Sequence, residues 1–237
     1  MIHIGVDVWG TLLFPSTDYS EYRKMILITK LVETDRYKVS DIEHVKVLAD
    51  TILKDAALME SKIDQFEQRN GVTISCDLKW NTLMDILHGL KLFDNIKHYI
   101  KWREELRIKL TQYFHVDVHW DLVNLLNATE KSECRIFVLT NTGKISSKDL
   151  RKILTNAGLR YDALYGSDEI GYVKPVMIEH LTSSLKHLEV MIGDDPTTDG
   201  LTKIGNTNFY QYNKGENLHF LKLLLKELNV LDKNYLC

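Results

Sequence analysis

Ile2-His3-Ile4-Gly5-Val6-Asp7-Val8-Trp9-Gly10-Thr11 is the stretch on which the rest of the chain is read. Ile2 to Val6 is a short apolar run and reads as a buried strand. Asp7 stands at its C-terminal tip, and Gly10 permits a tight turn just beyond. A carboxylate held there is a prepared nucleophile or metal ligand. Taken alone, an Asp in this place also serves as a turn residue or helix cap.

Outward from this stretch the chain changes texture twice. From about Tyr19 to about Phe114 the pattern is helical, with apolar spacings of three and four from Asp41 to Phe66 and an N-cap at Ser40 or Asp41. Asn70-Gly71 closes that helix. Further helices are expected from Asp77 to His88 and from about Asn95 to Tyr113, with Val72-Thr73-Ile74 a short extended piece. From Val116 strands alternate with helices. Strands are expected at Cys134 to Leu139, Ala163 to Tyr165, Leu188 to Ile192 and Asn208 to Tyr212. Helices are expected at Asp121 to Asn127, from Ser146 to Gly158, at Val176 to Leu185 behind Pro175, after Pro196, and from Glu216 to Asn229. Alternation of this kind gives a parallel sheet with helices on both faces, and the site lies beyond the carboxyl ends of its strands.

Composition narrows the function classes. The 237 residues are 44% hydrophobic and 27% charged, ordinary for a globular chain, with room for one domain carrying an insertion or for two small ones. A net charge of -3 gives no basic footprint for nucleic acid. The longest apolar stretches are far short of a membrane span, and the N-terminus has no signal-peptide pattern. Cys76, Cys134 and Cys237 are scattered without zinc spacing and fit a reducing, cytoplasmic setting. His115 and His119 are four apart but sit at a domain junction. Trp80, Trp102 and Trp120 are expected in the core or at a junction. Tyr19, Tyr22 and Arg23 are candidates for substrate contact. Oligomeric state is left open.

Four strand ends carry polar groups in order: Asp7; Thr140-Asn141; Lys174, ahead of the helix at Val176; and Gly193-Asp194-Asp195, with Asp199 beyond. A parallel sheet brings them to one edge. In order and spacing they resemble the four motifs of the haloacid dehalogenase-like hydrolase superfamily. The resemblance covers the first residues and most of the second half. The helical middle resembles, by position and length, the cap inserted after the first motif. It implies a Rossmann-like α/β core of residues 1–14 and 114–237 and a helical cap of residues 15–113.

The resemblance also implies roles. Asp7 is the nucleophile that accepts a phosphoryl group. Asp7, Asp194 and the Trp9 carbonyl hold Mg²⁺. Thr140 and Asn141 bind phosphate oxygens, and Lys174 binds the phosphoryl group and neutralises its charge. Thr11 supports the site, and Asp195 or Asp199 orients Lys174 or reaches the metal through water. The substrate is a small phosphorylated metabolite. One departure stands out. Phosphatases of the superfamily carry an acid two residues after the nucleophile, and here that residue is Trp9, whose indole is a donor only. Three readings follow: a Mg²⁺-dependent phosphohydrolase or phosphotransferase of modest turnover, a weak or inactive ligand- or partner-binding relative, and a dehalogenase, whose kind carries an aromatic residue at this position.

Overall fold

The computed structural model describes residues 1–16, 19–33, 41–89, 97–98, 100–105, 116–129, 132–143, 145–185, 188–199, 207–212, 215 and 218–231. The chain divides into two compact units, one of Met1–Phe14, Asn70–Thr73 and Asp117–Cys237, the other of Pro15–Arg69 and Ile74–Val116.

Among the described residues seven strands are present: β1 (Ile2–Val6), β2 (Leu13–Pro15), β3 (Val116–Val118), β4 (Cys134–Thr140), β5 (Ala163–Gly166), β6 (Val190–Gly193) and β7 (Asn208–Gln211). The first unit is built on a five-stranded sheet of order β5-β4-β1-β6-β7, parallel throughout. β2 and β3 form a separate pair. The long strand β4 is buried at every position except Arg135, as expected of a strand covered on both faces. Toward one face, a Cβ added to Gly5 would lie 2.8 Å from Met191 Sδ and 3.1 Å from Leu139 and Leu188. Helix Val176–Leu185 packs here through Met177, Ile178 and Leu181. The alternate residues Ile4, Val6, Val138, Val190 and Ile192 are fully buried toward the other face.

Register sets the height of the site. Val6 pairs with Val138 on one side and Ile192 on the other. Asp7 N–H then donates to the Ile192 carbonyl at 2.8 Å. Asp7 is thereby pinned one residue beyond the middle strand.

The second unit contains α1 (Tyr19–Glu33), α2 (Ile42–Asn70), α3 (Cys76–Gly89) and helical residues 100–105. Val45, Ala49, Ile52 and Ala56 form the buried stripe of α2, and pack with Ile26, Leu27, Leu31 and Trp102. Tyr22 packs against the same cluster. Arg23 lies 3.8 Å from Glu60.

Several sequence expectations are corrected. Residues 106–115, including His115, and Ser40 lie outside the described residues, as does Cys237. Asn70–Thr73, inside the expected insertion, groups with the α/β unit, and Val72 bridges Tyr172 in an antiparallel sense. β2, β3 and a four-residue helix, Ser167–Ile170, are additional. Pro196–Asp199 forms turns, the rest of the helix expected after Pro196 lies at residues 200–206, outside the described residues, and the closing helix is His219–Glu227. Trp120 is 56% exposed, because its helix turns Leu122, Val123, Leu125 and Leu126 inward. His119 caps that helix by accepting from Leu122 N–H at 2.9 Å, and its ring meets Tyr212 edge-on. Burial pushes the Cys134 thiol up to about 11, so it is inert.

Candidate active site

The turn after β1 is closed by its own backbone. Leu12 and Leu13 N–H both donate to the Val8 carbonyl, and Gly10 N–H donates to the Leu13 carbonyl. Gly10 has φ +80°, and a Cβ there would lie 2.1 Å from Asp194 Oδ2. Only glycine gives both the left-handed turn and the close approach. Asp7 is buried, Trp9 is half-buried and Thr11 is buried, with no hydrogen-bond partner for its Oγ1 among the described residues.

Thr140 ends β4, is buried, and its hydroxyl reaches the Asn141 carbonyl at 3.4 Å. Asn141 Oδ1 accepts from the Lys174 backbone N–H at 2.6 Å, which leaves its NH₂ as the group able to donate elsewhere. Lys174 is 3% exposed. Its ammonium donates to Asp7 Oδ1 and, at 2.5 Å, to Asp199 Oδ1. The bond between Lys174 and Pro175 is cis.

Beyond β6 the two remaining acids separate. Asp199 N–H donates to the Asp195 carbonyl at 2.8 Å, and the turn so formed aims the Asp199 carboxylate at Lys174. Gly193 makes room for it, since a Cβ there would sit 2.3 Å from Asp199 Oδ2. Asp195 instead accepts from Thr197 N–H at 2.8 Å and Thr197 Oγ1 at 2.6 Å. Partial burial works against its charge, but these hydrogen bonds outweigh it and hold its carboxyl below the usual range. Of the two candidates, Asp199 meets Lys174 and Asp195 closes a turn.

One lysine therefore faces a cluster of acids. Oxygens of Asp7, Asp194 and Asp199 lie within 4.8 Å of one another. Burial pushes the Asp7 carboxyl up to about 7; Lys174 opposes this and Asp199 adds to it. Asp194 is raised by burial and then by Asp199, and forms no ion pair among the described residues. For Lys174, burial opposes the charge, but Asp7 and Asp199 outweigh it and hold the ammonium above its ordinary value. Carboxylates in excess of their counter-charge, in oxygen-only surroundings, fit a hard divalent ion held by Asp7 and Asp194.

Sequence reasoning missed a second polar cluster beside this one. Ser167 Oγ accepts from Thr142 N–H at 2.9 Å and from Thr73 Oγ1 at 3.2 Å. Asp168 accepts from Ser147 N–H at 3.0 Å and from its hydroxyl. The available signal was Gly166-Ser167-Asp168-Glu169, a strand end followed by a helix opening with acids in its first turn.

No protein-family model and no curated protein matches the sequence. Solved structures do match. A HAD phosphatase from Thermococcus onnurineus is 18% identical with a TM-score of 0.58, over 98% of this chain and 99% of that one. The HAD family enzyme bt-2542 from Bacteroides thetaiotaomicron, in complex with magnesium and inorganic phosphate, is 12% identical with a TM-score of 0.55, over 93% and 98%. The L-2-haloacid dehalogenase from Xanthobacter autotrophicus is 12% identical with a TM-score of 0.50, over 95% and 83%. With its parallel sheet and its insertion after the first strand, the chain has the haloacid dehalogenase-like hydrolase fold.

Proposed function

We propose that the chain is a Mg²⁺-dependent hydrolase or phosphotransferase that moves a phosphoryl group from a small substrate through an aspartyl phosphate on Asp7. The observation that carries this reading is the Lys174 ammonium bonded to both Asp7 and Asp199, with Asp194 alongside, at the end of the middle strand. Asp7 attacks phosphorus, and the bond from phosphorus to the leaving oxygen breaks with its electron pair on that oxygen. Water then attacks phosphorus, and Asp7 is released. Lys174 neutralises charge on the phosphoryl oxygens, Asp199 fixes its ammonium, and Thr140 with the Asn141 NH₂ binds the remaining oxygens. Asp7, Asp194 and the Trp9 carbonyl would hold Mg²⁺, with Thr11 in support. A bound cation supplies charge that offsets repulsion between carboxylate and phosphate. Substrate selectivity is assigned to the helical unit.

Trp9 supplies no proton to the leaving oxygen. The reaction therefore runs on leaving groups that are stable as anions, or takes its acid from another residue. A panel of acetyl phosphate, p-nitrophenyl phosphate and glycerol phosphate with Mg²⁺, on wild type and Asp7→Asn, tests the reading. Turnover by wild type alone is expected, fastest on acetyl phosphate; equal background from both proteins eliminates catalysis through Asp7.

The aromatic Trp9 and the likeness to a haloacid dehalogenase favour a second reading, attack of Asp7 on carbon. Chloride release from a 2-haloacid without Mg²⁺ would replace the first reading with it. Retention of Asp194 beside Asp7 weighs for the cation. A third reading, a ligand- or partner-binding protein without turnover, would gain from a partner captured equally by Asp7→Asn.

A further inference from the structure

We infer that Ser167, with Thr142 and Thr73, is a positioning device for Lys174. The inference rests on the reading of Lys174 as the group that neutralises phosphoryl charge. The segment that carries Lys174 runs from Gly171 to Pro175, between helices Ser167–Ile170 and Val176–Leu185, outside every strand of the five-stranded sheet. Asp7 and Asp199 hold the ammonium at one end of a flexible four-carbon stem, and the backbone at the other end must be held as well for the group to keep its place.

Two ties hold that backbone. On one side Asn141 accepts from Lys174 N–H at 2.6 Å. On the other, Gly71–Thr73 pairs with Gly171–Val173. Val173 N–H donates to the Gly71 carbonyl at 3.2 Å, and Thr73 N–H donates to the Gly171 carbonyl at 3.1 Å. Close packing seats this second tie, since a Cβ on Gly71 would lie 2.7 Å from Val176.

Ser167 joins the two ties. Its hydroxyl oxygen accepts from Thr142 N–H, next to Asn141, and from Thr73 Oγ1, next to the Gly71 pairing. Its single proton is left for Thr142 Oγ1, 2.9 Å away, which also accepts from Asp168 N–H at 3.0 Å. All three bonding positions of one hydroxyl are thus used, and Ser167 and Thr142 are almost wholly buried. Removing this oxygen takes the shared acceptor from the buried Thr142 N–H and from the half-buried Thr73 hydroxyl. The phosphate-binding loop after β4 and the Lys174 segment are set against each other by this junction.

The test compares wild type, Ser167→Ala, Thr73→Val and Thr73→Ser. It reads kcat and KM on acetyl phosphate with Mg²⁺, the melting temperature, and acylation of each lysine by mass spectrometry. Acylation needs no turnover, so it stands even if the proposed activity fails. The expected result for Ser167→Ala and Thr73→Val is a fall of about tenfold in kcat with KM within about twofold, and a severalfold rise in Lys174 acylation, while the buried lysines Lys30 and Lys79 stay protected. Thr73→Ser restores both. Unchanged kcat and unchanged Lys174 protection overturn the inference, as does equal exposure of all three lysines, which marks general loosening. If Ser167→Ala does not fold, the half-buried Thr73 variants decide alone. If no substrate is turned over, the acylation pattern decides.

Discussion

Two buried lysine–carboxylate groups in this molecule have opposite characters. In the helical unit, Glu67 and Lys79 are each 5% exposed at the side chain and meet at 2.8 Å. Glu67 uses its other oxygen to accept from Ile74 N–H at 2.5 Å. The pair ties the end of α2 to the start of α3. In the α/β unit, Lys174 serves two carboxylates and a third stands beside them. The first arrangement spends its acceptors on the fold. The second keeps surplus negative charge out of water, which costs stability and is the charge balance that the proposed cation and phosphoryl group would relieve.

That contrast can be broken or sharpened by four measurements. The largest effect is expected from Asp7→Asn, which should lower turnover by about 10³-fold or more. Its stability should move the other way. The folded carboxyl titrates near 7, above its ordinary 3.8, so stability is fully present below about 3.8 and is lost as pH rises through 7. Removing the carboxylate should raise the melting temperature by roughly a few degrees at alkaline pH, with the gap closing toward pH 4. A fall in melting temperature at alkaline pH would mean that the surplus charge is not a burden.

Glu67→Ala should do the reverse. Taking the carboxylate from a buried ammonium costs about 3–5 kcal/mol, or roughly 10 °C in melting temperature, with Mg²⁺ affinity unchanged. A comparable loss of Mg²⁺ affinity would erase the distinction between the two groups. Next, Mg²⁺ affinity measured by calorimetry should weaken about tenfold per pH unit below 7, as protons compete for Asp7. A flat profile would remove Asp7 from the cation site. The smallest effect is expected from Trp9→Asp, a gain of up to about tenfold on glycerol phosphate with little change on acetyl phosphate, because only the poorer leaving group needs the proton.

The legible parts of the molecule were those with strong local signals. Apolar runs at Ile2–Val6 and Cys134–Leu139 gave the strands, and polar residues at their ends gave Asp7, Thr140 and Asn141 as neighbours along one sheet edge. Lys174 was placed in the right loop by its order in the chain, but its double engagement needed coordinates. The choice between Asp195 and Asp199 could not be read, because both lie in one short turn and differ only in which way that turn aims them. Thr73 carried no signal. It is a lone hydroxyl in a short extended piece between two helices, and its partner Ser167 is 94 residues away. Ser167–Ile170, at four residues, is too short to print a helical period. Trp120 misled because aromatic character says nothing about which side of a helix the residue occupies.

The place of β1 has a consequence for how the protein should fail. A strand with neighbours on both sides surrenders its amides to solvent only when the whole sheet opens, whereas edge strands fray first. The carboxylate proposed to react is anchored to that innermost strand by its own N–H. Heat inactivation should then coincide with global unfolding instead of preceding it. The deuterium uptake of Val6 and Asp7 should be the slowest in the sheet, and that of Asn208–Gln211 on the rim among the fastest.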